Sequence, residues 1–246
     1  AEIERALQLD PNCAVAYYAR GAAQQDPDAM IADANRAIVL DRGLAHAYRL
    51  RGHAYTLEED YDSAIADCTQ AIALDPNGAH AYAYRGTAYH RKKDYDRAIA
   101  DYTQAIALQP DDWVFYISRG MTHFSQRDFE CAIDDYTQAI AHDPQNAEAY
   151  YSRGMAYAAK GEPERAIDDY DRALELDSDD TAIYNVRGLA RIRMRAWLNT
   201  DPLTIADCTP AIALDPNLAK AYYNRGTAYL DKQDYDRAID DYTQSI

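Results

Sequence analysis

Apolar and polar positions recur along this chain with the period of amphipathic helices, in blocks about three to four turns long. Residues 79–92 set Ala81, Tyr82, Arg85, Gly86 and Tyr89 at helical spacing. Asp94 then stands where an N-cap belongs, and Ala98, Ile99, Tyr102, Ala105, Ile106 and Leu108 form one apolar stripe behind it. Pro110 ends that stripe, and Asp111 or Asp112 caps the next helix. The block therefore predicts two helices joined by a tight turn.

The same block returns along the chain. Tyr-x-x-Arg-Gly places its glycine at Gly21, Gly52, Gly86, Gly120, Gly154, Gly188 and Gly226, in steps of 31, 34, 34, 34, 34 and 38 residues. Pro11, Pro76, Pro110, Pro144 and Pro216 share another phase, ten residues before an Arg-Gly pair. Small residues recur where helices must approach closely, as at Ala64, Ala98, Ala132, Ala166 and Ala238. Large ones recur opposite them: Tyr four before each glycine, and Tyr or Cys in the second helix. Small against large at fixed phases is interlocking packing, and it accounts for 22 Tyr beside only 3 Phe and 2 Trp. The chain is a tandem array, so its length does not count domains.

With a 34-residue period and these residues at these offsets, the chain resembles the tetratricopeptide repeat over its whole length. The resemblance implies an all-α fold, a right-handed superhelical solenoid of antiparallel helix pairs. It divides the chain as one array: a trailing helix over 1–13, repeats over 14–44, 45–78, 79–112, 113–146, 147–180 and 181–218, and an incomplete repeat over 219–246. The Leu that usually precedes the glycine is Arg in every unit, so this is an Arg-Gly variant. Asp33, Asp67, Asp101, Asp135, Asp169, Asp207 and Asp241 recur as regularly in the second helix. Each Arg is expected to pair with such an Asp of its own or a neighbouring helix, fixing register more than adding stability. The sixth unit is the outlier, with four extra residues, Arg191 where a tyrosine would pack, and Pro210 inside the second helix. A kink or a late helix start is expected there. Both chain ends fall inside helix pairs, which reads as a segment of a longer array.

Composition narrows the function. Lys and Arg number 25 against 41 Asp and Glu, a net charge of −16 that repels phosphate backbones and argues against nucleic acid. No apolar run approaches the roughly 20 residues that span a bilayer. Cys13, Cys68, Cys131 and Cys208 lack zinc spacing and read as isolated thiols, which favours a reducing, cytoplasmic setting and leaves the periplasm open. Phosphate-loop, dinucleotide, zinc-protease and serine-hydrolase motifs are missing, and the paired carboxylates Asp134/Asp135, Asp168/Asp169 and Asp240/Asp241 recur at one phase and read as solvated faces. His46, His53 and His80 share a helical face without matched carboxylate or thiol ligands. No enzyme, cofactor or metal site is expected.

What remains is surface. The resemblance implies that first helices line a concave groove, at positions six and three before each glycine and one and four after it. Early repeats place His46, Arg49, His53 and His80 there; the fourth places Val114, Ile117, Met121 and Phe124, an all-apolar stripe. Tyr151, Met155, Leu189 and Ile192 continue the series. The leading expectation is a protein-interaction scaffold binding a peptide or partner segment in this groove, with apolar residues supplying desolvation and Arg49 and the histidines orienting an acidic end. The chaperone-type clamp of the family uses Lys and Asn where Arg49 and His53 stand. Two other readings are a self-assembling solenoid that oligomerises end to end through the open last repeat, and a basic island around Arg187, Arg191, Arg193, Arg195 and Trp197, which reads better as solvated surface.

Overall fold

The computed structural model describes residues 2–178, 180–194 and 202–246, with the side chains of 191–194 and 202–203 outside that description. Fifteen α-helices and no strand occur among the described residues, and they group into two compact units, residues 1–126 and 127–246. The first unit holds α1 (Glu2–Leu9), α2 (Ala14–Ala22), α3 (Pro27–Leu40), α4 (Ala45–Leu57), α5 (Tyr61–Leu74), α6 (Ala79–Arg91), α7 (Tyr95–Leu108) and α8 (Trp113–Ser125). The second holds α9 (Phe129–His142), α10 (Ala147–Lys160), α11 (Pro163–Leu176), α12 (Thr181–Met194), α13 (Pro202–Leu214), α14 (Ala219–Asp231) and α15 (Tyr235–Gln244). Residues 195–201 of the irregular sixth repeat, with Arg195 and Trp197 of the predicted basic island, fall outside the described residues, as do the side chains of Arg191 and Arg193. Pro210 does not: α13 runs through it, neither starting after it nor stopping at it.

Helix boundaries follow from local chemistry. Asp26, Asp60, Asp94, Asp128 and Asp234 each accept a hydrogen bond from the backbone N–H three residues on, which satisfies an orphan donor at the start of a trailing helix. One residue before each of the last four, the turn passes through the left-handed region at Glu59, Lys93, Arg127 and Gln233, with φ of 60° to 66°. Gly161 occupies the same phase at φ 89°, and only there does the residue type suit the conformation without strain.

Within each unit, consecutive helices pack side by side. Leading helices also touch the next leading helix, α2 with α4, α4 with α6 and α6 with α8 in the first unit, α10 with α12 and α12 with α14 in the second. Within each unit, trailing helices do not touch one another among the described residues. Leading helices thus crowd onto the inner side of each unit, and trailing helices spread along the outer side.

The repeated motif explains the packing. Gly52, Gly86, Gly154, Gly188 and Gly226 each let a ring or thiol of the trailing helix lie against the leading backbone, whereas Gly21 faces Leu50 and Asp33: a Cβ on Gly154 would stand 2.6 Å from Tyr170 Cε1, and one on Gly52 would stand 2.6 Å from Cys68 Sγ. The arginine before the glycine forks onto its aspartate, Arg85 onto Asp101 at 2.8 and 2.8 Å and Arg153 onto Asp169 at 2.8 and 2.7 Å. Arg20–Asp33, Arg51–Asp67 and Arg225–Asp241 repeat this fork. Arg187 reaches Asp207 by one bond of 2.5 Å, and its buried Nε finds no acceptor among the described residues.

A third contact joins repeats. Arg85, Arg119 and Arg153 also donate to Thr69, Thr103 and Thr137, each on the preceding trailing helix, at 3.0 to 3.1 Å. The tyrosine one turn earlier lies beneath the guanidinium, as Tyr82 does under Arg85 at 5.7 Å. One side chain therefore binds three helices and a ring. Hydrogen bonding to Asp101 holds the Arg85 guanidinium even more firmly charged than usual, against the opposing effect of burial. The paired carboxylates divide accordingly. Asp135, Asp169 and Asp241 are buried while Asp134, Asp168 and Asp240 are exposed, so only half of each pair is the solvated face expected from sequence. Removing Arg153 would strand a buried carboxylate, at a cost of about 3 kcal/mol.

Candidate functional site

The inner wall of the first unit collects most of the residues singled out from sequence. Arg49 rises from the middle of α4, half-buried, and donates from Nη2 to the Tyr18 hydroxyl of α2 at 3.1 Å. His46, one turn earlier and exposed, meets the Tyr18 ring edge-on at 5.6 Å. His53, one turn later and half-buried, stacks on the Tyr84 ring of α6 at 4.4 Å and 16°. Burial, and to a lesser degree the Arg49 charge, push His53 below the ordinary imidazole range. His80 is exposed, edge-on to Phe115 at 5.3 Å, with Nε2 3.9 Å from Asp112 Oδ2.

Arg49 stands between two cavities. One, of about 330 Å³, is bordered by His46, Asp75, Asn77, His80 and Gln109. The other, of about 360 Å³, is bordered by Tyr18, Met30, Leu50, His53, Leu57 and Tyr84. Tyr18 and Tyr84 were missed by the sequence reading. Tyr18 shares the phase of Arg49, which was its available signal; Tyr84 sits one position off that phase and carried none.

The apolar stripe on α8 is only partly open. Val114 and Met121 are 44% and 46% exposed, and Phe124 is half-buried. Ile117 is corrected: it is 5% exposed and belongs to the packed interior. Ala83, at the same phase on α6, is buried too. The position lies deep in the wall, where a long side chain such as Arg49 reaches the surface and a branched aliphatic does not.

In the second unit, Tyr151, Met155 and Leu189 are half-buried on α10 and α12, and the side chain of Ile192 lies outside the described residues. The Tyr151 ring lies 6.2 Å from Tyr170, and burial pushes its hydroxyl upward in pKa. Asn224 of α14 donates to Asn185 Oδ1 of α12 at 2.8 Å, giving this wall a polar seam. No described helix is long and apolar enough to cross a membrane.

Stacked helix pairs with an inner wall of leading helices define a helical repeat scaffold. Tetratricopeptide-repeat family models match residues 45–77, 79–112 and 219–246, and a second such model matches 117–181. The chain belongs to the tetratricopeptide-repeat family, whose members are scaffolds for protein–protein interaction. Among solved structures, MamA is similar at 26% identity with a TM-score of 0.60, over 65% of this chain and 91% of that one. The Cut9–Hcn1 hetero-tetramer of APC/C is similar at 19% identity and a TM-score of 0.74, over 92% of this chain and 44% of that one. YrrB, a tetratricopeptide-repeat protein with an unusual peptide-binding site, is similar at 20% identity and 0.60, over 76% and 98%. A comparison with curated protein sequences found no match.

Proposed function

We propose that the inner wall of the first unit binds an extended or helical segment of another protein, and that the chain is not an enzyme. The carrying observation is the open pair Val114 and Met121 on α8, large apolar side chains on a wall that elsewhere offers imidazoles, phenols and Arg49. Such side chains gain from desolvation by a partner. Peptide binding by the similar fold of YrrB supports this reading. Tyr151, Met155 and Leu189 give the second unit a comparable aromatic and thioether surface. Ordering a flexible segment consumes much of the contact energy, so one segment binds at about micromolar strength. Val114→Asp with Met121→Asp abolishes partner capture while the circular dichroism spectrum stays unchanged. Full capture by that double variant rejects the wall as the binding surface.

A further inference from the structure

We propose that α13 is a releasable helix, which leaves its place between α12 and α14 as a unit while the rest of the second unit stays folded. Its release opens a cleft on the outer side and leaves the inner wall intact. Several packing faults converge on this one helix.

The first fault is Thr204. Other trailing helices carry alanine at this phase, as at Ala166 and Ala238, where the chain is buried against the leading helix. Thr204 is fully buried too, and its hydroxyl finds no hydrogen-bond partner among the described residues. A helical threonine normally returns that hydroxyl to the carbonyl four residues earlier, as Thr209 does to Ile205 at 2.7 Å. Helix α13 begins at Pro202, so Thr204 has no such carbonyl within its own helix. A buried hydroxyl left unbonded favours any state that returns it to water.

The second fault lies on α12. Arg153 and Arg225 donate from Nε as well as Nη2 to their aspartates. Arg187 reaches Asp207 through Nη2 alone, and its Nε is buried without an acceptor. The fork that fastens other trailing helices is here a single prong.

Two more faults weaken the same contact. The slot over Gly188 is loosely filled: a Cβ there would stand 3.3 Å from Cys208 Sγ, against 2.6 Å from Tyr170 at Gly154 and 3.0 Å from Tyr242 at Gly226. A thiol also brings less apolar area into that slot than a ring does. Pro210 withholds its N–H from the Ala206 carbonyl, which loosens α13 from within. On its outer side, a cavity of about 460 Å³ lies between Ile205, Ala206 and Pro210 and the residues Tyr229, Lys232 and Arg237 of the next helix pair.

What α13 leaves behind holds together. Helix α12 packs on α11 and also touches α14 directly, so the leading helices stay joined. Arg187 Nη1 donates to Asp171 of α11, so its guanidinium keeps a counter-ion when Asp207 departs. Helices α14 and α15 retain their own complete fork, Arg225 on Asp241 at 2.8 and 2.8 Å. Opening is therefore confined to one short helix, the kind of local unit that yields before the whole does.

Hydrogen–deuterium exchange of the full chain, read by mass spectrometry and corrected for intrinsic rates, tests this. Fragments covering α13 are expected to exchange at least about 100-fold faster than those covering α11. Their exchange also responds less steeply to low urea, because a local opening exposes less surface. Thr204→Ala with Pro210→Gln removes the unbonded hydroxyl and restores the backbone bond. That double variant is expected to slow α13 at least about tenfold and leave α11 unchanged. Equal protection of α13 and α11 overturns the proposal, and that comparison needs no variant to fold. So does an equal urea response of the two helices, since the second unit then opens as a whole. An unchanged α13 rate in a folded double variant overturns it as well, because release would not arise from these faults.

Discussion

At the residue scale the chain is governed by three side chains that act together: a tyrosine under a guanidinium, an arginine across three helices, and a glycine that admits a ring. The glycines are not equivalent. A methyl at Gly154 would meet Tyr170 at 2.6 and 2.8 Å, whereas at Gly188 the nearest atom, Cys208 Sγ, is 3.3 Å away. Alanine gains about 1 kcal/mol over glycine in helix propensity, and overpacking a full site costs about 1–3 kcal/mol. Gly154→Ala is therefore expected to destabilise by about 1 kcal/mol and Gly188→Ala to stabilise by up to about 1 kcal/mol, both read from urea unfolding midpoints. The arginine–aspartate pairing was legible because both residues recur in every unit. Its threonine partner was not, because the phase of Thr69, Thr103 and Thr137 is held by Asn35 and Asp171 in two other repeats, where they accept from Arg51 and Arg187 instead. A helical threonine ordinarily returns its hydroxyl to its own helix, as Thr137 does to the Ile133 carbonyl at 2.8 Å, and nothing in the letters shows that it also accepts from a neighbour.

At the scale of elements, the helix pairs follow the sequence pattern closely, because caps, proline stops and apolar stripes are local signals. The left-handed turn was less legible. Only Gly161 advertises it, and Glu59, Lys93, Arg127 and Gln233 hide the same geometry behind residues that ordinarily avoid it. Helix α13 shows packing overriding propensity. Pro210 sits inside it where Gln70, Gln104 and Gln138 stand in other repeats, and it withholds an N–H from the Ala206 carbonyl. Pro210→Gln restores that bond and is expected to stabilise the second unit by about 2–3 kcal/mol. A raised thermal midpoint with an unchanged helical signal checks it, and no rise would mean that α13 already bends to accommodate the ring.

At the scale of the whole molecule, the family and the all-helical architecture could be read from periodicity, while the candidate wall could be read only in part. Phase alone assigns Ile117 and Arg49 to the same surface. Side-chain length then separates them, since one ends within the packing and the other reaches past it. Likewise the sequence names His53 but not the Tyr84 ring against it, which comes from the next repeat at a phase that elsewhere carries no common chemistry. The two cysteines in the tyrosine phase have a consequence of their own. Cys68 and Cys208 are fully buried, and desolvation pushes each thiol up to about 12 in pKa, whereas Cys131 is exposed. Alkylating reagents meet Cys131 and the half-buried Cys13 without unfolding, the Cys131 thiol slowed by its hydrogen bond to Asp128, but reach Cys68 and Cys208 only when the surrounding helices part. Each half of the chain thus carries its own chemical stopwatch, one thiol timing how often its repeats breathe, with no label introduced.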